Sequence, residues 1–259
     1  MILRGNFFSR TLELHTGITI VTSNISSTRN HYKVAYLLHG LSGNNDNWTD
    51  YTMLPVYARE YETIFIMPEA ARSFYTDMKF GYKYLSYITE ELPTIAKKIF
   101  NISTRREDTA IIGNSMGGYG ALLCALSKPE QYGVCCAFSP VCLFLKEYLD
   151  KQRKQGETRG FKTFFGEQLL NDFKSIFGED LEWNSEYELL ELAKNADNHP
   201  IKPKIFMACG TEDYLINHNI RFSDEMKKLD FDFTFQKWTG AHDWYFFNEA
   251  LYKALKTVI

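Results

Sequence analysis

Two kinds of segment alternate along the chain. Short runs rich in β-branched and aromatic residues are bounded by turn residues, and longer segments between them repeat apolar positions every three to four residues. The short runs predict seven strands, at 18–21, 33–38, 63–67, 109–112, 133–138, 204–208 and 233–237. The longer segments predict six helices, at 55–60, 84–100, 116–126, 185–196, 219–229 and 243–256. This alternation predicts an α/β fold.

The apolar pattern within the strands indicates how they are arranged. Several strands are apolar at every position, which is typical of a mostly parallel sheet covered by helices on both faces. The two N-terminal runs alternate more, which favours an antiparallel edge there. Residues 145–200 are rich in charge and in aromatic residues but contain no convincing strand. We therefore expect a helical, cap-like insertion over the carboxyl edge of the sheet.

Composition narrows the class of protein. With 259 residues, 45% of them hydrophobic, the chain is long enough to bury a full core, and we expect a single domain over 1–259. The net charge of −3 argues against nucleic acid and anionic membrane as partners, because both attract clustered Lys and Arg. No apolar run approaches the roughly 20 residues needed to cross a bilayer. The first ten residues lack an apolar stretch of signal-peptide length, so we expect a cytoplasmic protein.

Five cysteines are present, and none of them forms the C-x-x-C pair that suggests zinc or redox chemistry. We interpret them as reduced and mostly buried, with a vicinal redox pair at Cys135 and Cys136 as the alternative. The sequence also lacks HExxH and any His/carboxylate cluster of ligand spacing, so no metal site is expected.

One serine stands at a position typical of a nucleophile. Ser115 lies in the G-x-S-x-G pattern of residues 113–117, between the apolar strand at 109–112 and a helical pattern that begins at Met116. A serine on such a turn has strained backbone dihedrals, and Gly113 and Gly117 remove side chains that would collide there. The alternative interpretation is a glycine-rich turn with an incidental serine.

A serine hydroxyl needs a base near it, and the base needs an acid partner to fix its tautomer. Asp213 follows the strand at 204–208, and His242 follows the next strand in a glycine-containing loop. Both should reach the carboxyl edge of the sheet, where ligands gather in open α/β sheets. The chain order Ser115, Asp213, His242 is that of α/β-hydrolases. Glu212 and His218 are rivals for these roles, as is Asp243, which we expect instead to cap the last helix.

An acyl-transfer site also needs two donors for the oxyanion. The backbone N–H of Met116, directly after the nucleophile, is the expected first donor. The strand at 33–38 runs into His39-Gly40, and the N–H of Leu41 is the expected second donor. A simple turn at His39-Gly40 is the alternative.

With these elements in place, the chain resembles the esterase D branch of the α/β-hydrolases, and within it the bacterial tributyrin esterases, relatives of acetylxylan and feruloyl esterases. The stretches that carry the resemblance are 37–43 with Trp48, 67–77, 87–93, 113–121 and 210–213. The resemblance implies an α/β-hydrolase fold, a serine carboxylesterase for short acyl groups, no cofactor, and a Ser115, Asp213, His242 triad. It also leads us to expect substrate contacts at His39, Trp48, Ser73 and Tyr75.

Several functions stay open at this point. S-formylglutathione hydrolases usually have Cys and Thr in the loop after His-Gly, whereas residues 41–48 here read LSGNNDNW, so a thioesterase is the second choice. An acetylxylan or feruloyl esterase and an acyltransferase would use the same machinery. A non-catalytic binding protein on a hydrolase scaffold is the alternative from another class. The expected partner is a small-molecule ester, and the sequence leaves a homo-oligomer open.

Overall fold

The computed structural model describes residues 1–23, 31–155 and 166–259. Its described strands form one eight-stranded sheet. They are β1 (Ile2–Ser9), β2 (Leu14–Thr22), β3 (Lys33–Leu38), β4 (Thr63–Pro68), β5 (Thr109–Asn114), β6 (Val134–Phe138), β7 (Lys204–Gly210) and β8 (Phe233–Trp238). All seven predicted strands are confirmed, and β1 is an additional strand that the sequence analysis missed.

The strand order across the sheet is β1-β2-β4-β3-β5-β6-β7-β8. β1 pairs antiparallel with β2 and β2 antiparallel with β4, whereas every pairing from β4 to β8 is parallel. The mostly parallel sheet with an antiparallel edge is therefore confirmed. Of the two N-terminal runs that alternate, only the first is antiparallel, because β3 lies between β4 and β5 in the parallel part.

Helices cover both faces of the sheet. The α-helices of the described chain are α1 (Asn47–Asp50), α2 (Leu54–Tyr57), α3 (Tyr84–Ser86), α4 (Leu92–Ile99), α5 (Met116–Ser127), α6 (Leu145–Gln155), α7 (Gly166–Phe177), α8 (Leu189–Asp197), α9 (Ile216–Met226) and α10 (Trp244–Val258). A π-helical segment, Tyr87–Glu91, joins α3 to α4, so the predicted helix at 84–100 is one continuous helical stretch. The other five predicted helices are confirmed with shifts of a few residues at their ends.

The buried apolar residues form two clusters, one on each face of the sheet. The larger cluster contains the apolar side of α5 together with residues of α4 and α6 to α9, and the smaller contains α1, α2 and α10. Successive residues of a strand point to opposite faces. Cys135 accordingly lies in the larger cluster and Cys136 in the smaller. All five cysteines are free and four of them are buried, and the side chains of Cys135 and Cys136 lie on opposite faces of the sheet.

In the region where we expected the insertion, the structure describes α6, α7, α8 and the turns around α8. Of the aromatic residues there, Phe173 and Phe177 are buried in the larger cluster, whereas Phe161, Phe164 and Phe165 lie outside the described residues. Arg72, after β4, forms an ion pair of 2.7 Å with Asp172 of α7. This pair ties α7 to the loop that follows β4. Among the described residues, no helix combines the length and the apolar character needed to cross a membrane.

Candidate active site

Ser115 lies on the sharp turn between β5 and α5. Its backbone has φ 55° and ψ −117°, a left-handed conformation that costs a non-glycine residue of order 1–3 kcal/mol. The turn is held because the N–H of Ser115 donates a 2.9 Å hydrogen bond to the carbonyl of Phe138, at the end of the neighbouring strand β6. The strain predicted at this serine is thus present in the structure.

Two glycines allow β5 and α5 to approach each other so closely. A Cβ on Gly113 would lie 2.0 Å from the carbonyl oxygen of Gly117, and one on Gly117 would lie 2.2 Å from the carbonyl oxygen of Leu38. Real Cβ atoms do not reach these distances. The first turn of α5 therefore rests directly against the end of β3, and a Cβ on Gly40 would be 3.6 Å from the Cβ of Ser115. The loop after β3 is in contact with the serine turn.

Asp213 and His242 form a hydrogen-bonded pair at the carboxyl ends of β7 and β8. The Nδ1 atom of His242 lies 2.8 Å from Oδ2 of Asp213, whose side chain is buried. The other carboxylate oxygen accepts a 2.8 Å hydrogen bond from the N–H of Leu215. Burial acts to raise the pKa of Asp213, but the hydrogen bond and charge of His242 and the Leu215 N–H outweigh it, so the pKa lies below its ordinary value. An ionised Asp213 fits the role of orienting an imidazole.

The loops that carry this pair touch each other through two glycines. A Cβ on Gly210 would lie 2.1 Å from the carbonyl oxygen of Gly240. The N–H of Glu212 also donates to that carbonyl at 2.9 Å. The loops after β7 and β8 therefore pack backbone to backbone, and this contact sets the distance between the acid and the imidazole.

The rival residues have other positions. Glu212 is exposed, and in the described chain the carboxylate bonded to His242 is that of Asp213. Asp243 caps α10, because its side chain accepts a 3.0 Å hydrogen bond from the N–H of Phe246, as predicted. His218 is exposed on α9, where it lines the cavity described next.

A cavity of about 610 Å³ opens beside Ser115. Its size falls in the range of ligand pockets, roughly 300–1,000 Å³. Ser115, Met116 and Leu41 all line it, and so does Tyr214, whose ring centroid lies 4.9 Å from that of His242. The structure thus brings Asp213 and His242 into contact and places Ser115 on a wall shared with a neighbour of His242. Within the described residues, no hydrogen bond joins the Ser115 hydroxyl to His242.

Both predicted oxyanion donors lie at this cavity. Met116 is the first residue of α5, so its N–H has no acceptor within the helix and sits at the positive end of the helix dipole. The N–H of Leu41 belongs to the same peptide plane as the carbonyl of Gly40, which accepts from the Gly43 N–H at 3.0 Å and from the His39 ring at 2.8 Å. Because a trans peptide points its C=O and N–H in opposite directions, holding the Gly40 carbonyl fixes the direction of the Leu41 N–H.

The ring of His39 is buried and has a partner on each nitrogen. Its Nε2 accepts a 3.0 Å hydrogen bond from the N–H of Ala70, so its Nδ1 is the donor to Gly40. Glu69 lies 3.5 Å from the same Nε2. Burial acts to raise the pKa of Glu69, but its interactions with His39 and with the N–H groups of Ala71 and Asn45 lower the pKa overall. His39 thus holds the loop after β3 against the loop after β4.

The four side chains expected to contact substrate are all buried, and none of them belongs to the cavity lining of the described residues. Trp48 Nε1 donates to the carbonyl of Leu38 at 3.1 Å. Ser73 bridges the carbonyl of Ala70 and the N–H of Tyr75. The Tyr75 hydroxyl donates to the carbonyl of His39. All four residues form hydrogen bonds that support the loops around the site, and their side chains do not line the cavity.

Besides Ser115, Met116 and Leu41, which were predicted at the site, aromatic residues line the cavity that the sequence analysis did not identify. Phe74 neighbours two of the expected contacts and is itself part of the lining, as are Tyr148 of α6, Phe173 of α7 and Tyr214 after β7. The aromatic residues of the predicted insertion at 145–200 are the signal that could have identified Phe173. No pattern in the sequence distinguished Phe74 from Tyr75.

Comparison with known proteins gives three results. A model of a family described as putative esterase matches residues 10–258. The acetyl esterase of Caldicellulosiruptor saccharolyticus is 27% identical over 269 residues, which cover 98% of this chain and 97% of that protein. Two solved structures from Staphylococcus aureus, fluorophosphonate-binding serine hydrolase F with substrate bound and the apoenzyme of an S-formylglutathione hydrolase, each superpose with a TM-score of 0.82. Each is 26% identical, with 99% of this chain and 97% of the other covered.

Proposed function

Because the chain belongs to the putative esterase family, we propose that Ser115 is its nucleophile and that Asp213 and His242 activate it. The chain is a serine carboxylic ester hydrolase with an α/β-hydrolase fold. The observation that carries the assignment of residues is the combination of a strained serine on the cavity wall and a buried carboxylate bonded to His242.

In the first half of the reaction, the Ser115 hydroxyl attacks the ester carbonyl while Nε2 of His242 takes its proton. This requires the imidazole to approach the hydroxyl as substrate binds, since hydrogen bonds between catalytic groups often tighten only in the complex. Asp213 keeps the proton of the imidazole on Nδ1 and stabilises the cation that forms, without taking the proton itself.

The tetrahedral intermediate carries its negative charge on the former carbonyl oxygen. The proposed donors to this oxygen are the N–H groups of Met116 and Leu41, and the position of both residues in the cavity lining with Ser115 supports this assignment. His242 then gives its proton to the departing alcohol, and an acyl group remains on Ser115. Water attacks the acyl-enzyme by the same sequence of proton transfers and releases the acid.

The proposed substrates are esters of short acyl groups, of the acetyl or tributyrin type. The apolar lining of the cavity near Ser115, which includes Leu41, Met116 and Val141, supports an aliphatic acyl group. The likeness to an acetyl esterase over nearly the full length supports the same class. Likeness to an S-formylglutathione hydrolase structure supports thioester hydrolysis as the second candidate. The ratio of kcat/KM for S-formylglutathione to that for p-nitrophenyl acetate separates the two.

The proposed location is the cytoplasm. Support for this comes from the five cysteines, which are free thiols, four of them buried. Disulfides persist mainly in oxidising compartments, and a chain with several unpaired cysteines fits a reducing one.

The nucleophile is tested with a fluorophosphonate probe and with Ser115→Ala. The probe should form one covalent adduct on the peptide containing Ser115, and the substitution should lower kcat for p-nitrophenyl acetate about 10⁴-fold or more while circular dichroism is unchanged. Ser127→Ala, on the same helix but bonded to the carbonyl of Leu123, is the control and should keep full activity. Labelling elsewhere, or an active Ser115→Ala enzyme, would refute the assignment.

A further inference from the structure

The lining of the cavity beside Ser115 includes two chemically different groups of residues. Phe74, Leu169 and Phe173 are buried and apolar, and the rings of Phe74 and Phe173 lie 4.8 Å apart. Tyr214 and His218 are exposed, and the ring of Tyr214 lies beside that of His242. An ester has two parts, an acyl group and an alcohol, and each part can be assigned to one of these groups, taken as the two ends of the cavity.

The position of the imidazole identifies the alcohol end. In the proposed mechanism His242 gives its proton to the departing alcohol, so the alcohol has to lie on the His242 side of Ser115. The ring of Tyr214 lies 4.9 Å from the ring of His242, and Tyr214 is 46% exposed. The alcohol therefore leaves past Tyr214 towards solvent.

The acyl group therefore occupies the opposite end of the cavity, formed by Phe74, Leu169 and Phe173. A hydrocarbon chain gains about fourfold in binding for each methylene that it buries, and the buried aromatic end offers that burial. Phe74 connects this end to the oxyanion side of the site, because its ring lies 6.2 Å from that of Tyr119, one helical turn after Met116. An acyl chain whose carbonyl oxygen lies between Leu41 and Met116 can extend towards these rings.

We infer that Phe173 closes the acyl end of the cavity and sets the length of the acyl chain that the enzyme accepts. The inference rests on the proposed function and extends it to substrate choice. Phe173 is 2% exposed, and its ring centroid lies 4.8 Å from that of Phe74, 5.3 Å from that of Tyr148 and 5.6 Å from that of Phe177. Packed on these rings, the side chain cannot swing aside at low cost.

The helix that carries Phe173 is also held in place. Asp172, the preceding residue, pairs with Arg72, and the backbone N–H groups of Lys79 and Phe80 donate to the carbonyls of Ile176 and Ser175. These contacts fix α7 against the loop after β4, which also carries Phe74. A longer acyl chain therefore meets a wall that cannot retreat without breaking an ion pair and two backbone hydrogen bonds.

The test compares kcat/KM for p-nitrophenyl acetate, butyrate and octanoate in wild type, Phe173→Ala and Phe173→Leu. Removing the ring opens space for roughly two further methylenes, so the octanoate to acetate ratio should rise about tenfold or more in Phe173→Ala. Phe173→Leu should raise the octanoate to acetate ratio less than Phe173→Ala does. Phe173→Trp should lower the butyrate to acetate ratio.

Phe177→Ala is the matched control. Phe177 lies one turn after Phe173 along α7, is 4% exposed and packs on the ring of Phe173, but it is absent from the described cavity lining. Phe177→Ala should lower the free energy of unfolding about as much as Phe173→Ala does, since both changes delete a buried ring. Because Phe177 is only one of the three rings packed on Phe173, its loss should raise the octanoate to acetate ratio no more than about threefold, well short of the change in Phe173→Ala.

The outcomes separate this inference from the proposed function. If Phe173→Ala is too unstable to purify, Phe173→Leu with Phe177→Leu as control carries the comparison. A folded Phe173 variant with an unchanged ratio, or an equal shift in the Phe177 control, would overturn the inference while Ser115 labelling stays intact. A wild-type enzyme without fluorophosphonate labelling at Ser115 would instead refute the proposed function itself.

Discussion

The hydroxyl of Tyr75 donates a 2.9 Å hydrogen bond to the carbonyl oxygen of His39. Tyr75 lies in a loop with three left-handed non-glycine residues, Ala71 (φ 47°), Phe74 (φ 51°) and Tyr75 itself (φ 59°). Its ring packs on α5, where a Cβ on Gly120 would come within 2.4 Å of it. Contacts that stabilise this strained loop also fix the peptide that precedes the proposed oxyanion donor, the N–H of Leu41.

We expect Tyr75→Phe to lower kcat for p-nitrophenyl acetate about tenfold while KM changes less than about threefold. The ring stays in place, but the carbonyl of His39 loses its donor and the peptide that carries the Leu41 N–H gains freedom. Loss of a whole oxyanion donor costs about 10²–10³ in kcat, so a loosened one should cost part of that.

Tyr132→Phe is the control for the Tyr75 experiment. Tyr132 is buried, and its hydroxyl has no hydrogen-bond partner in the part of the chain that the structure describes. Its removal should leave both kinetic constants unchanged. A rise in KM at constant kcat in Tyr75→Phe would contradict a role in positioning the oxyanion donor.

Replacement of Asp213 by Asn should lower kcat about 10⁴-fold without unfolding the chain. The amide has nearly the same shape, but it no longer stabilises the imidazolium or holds the Nδ1–H tautomer. Steady-state kinetics with p-nitrophenyl acetate measures the loss. Glu212→Gln, at the exposed neighbouring acid, should keep kcat within about twofold of wild type. Comparable losses in the two variants would show that Asp213 has no special role.

Gly117→Ala should reduce the free energy of unfolding by about 3 kcal/mol and abolish activity. The added methyl group would lie 2.2 Å and 2.7 Å from the carbonyl oxygens of Leu38 and His39, so α5 and the loop after β3 must separate. Urea unfolding gives the free energy. Gly5→Ala serves as the control, because a Cβ on Gly5 meets nothing within 4 Å, and it should change stability by less than about 0.5 kcal/mol. An active, stable Gly117→Ala enzyme would contradict the close packing at the serine turn.

Glu188 should make the stability of the fold depend on pH. It is 6% exposed, and its Oε2 accepts hydrogen bonds from the N–H of Lys146, at the start of α6, and from Trp183 Nε1. Burial raises its pKa above the ordinary value in spite of these bonds. A carboxyl with a raised folded pKa adds stability below the unfolded pKa of about 4.3, and this stability is lost as pH rises through the folded pKa.

Glu188→Gln keeps the accepting oxygen and removes the charge. Its free energy of unfolding should therefore rise relative to wild type as pH increases from 4 to 7.5, in denaturant titrations at each pH. Glu186→Gln, at an exposed neighbouring acid, should show a flat difference across the same range. A Glu188→Gln protein that becomes less stable than wild type at higher pH would reverse the assigned sign.

The strands along the chain and the loops that carry Asp213 and His242 could be predicted, because they follow from periodicity and from which strand precedes each loop. β1 could not be predicted, since most of its residues are exposed and it lies at the edge of the described sheet, paired with β2, so no buried face marks it. Substrate contacts could not be predicted either. Phe74 lines the cavity while Tyr75 points into the core, and both have left-handed backbones that neither helical nor strand periodicity encodes.

The loops that carry Asp213 and His242 meet at Gly210 and Gly240, after β7 and β8, the last two strands in the sheet order. Ser115 instead follows β5, in the interior of the sheet. Fraying of β8, which is only partly buried along its length, would move His242 away from Ser115, whereas Asp213 follows the buried strand β7. Moderate heating should therefore inactivate the enzyme reversibly at temperatures where its central strands are still paired. Substitutions that stabilise β8 should therefore raise the temperature of inactivation more than substitutions in the central strands.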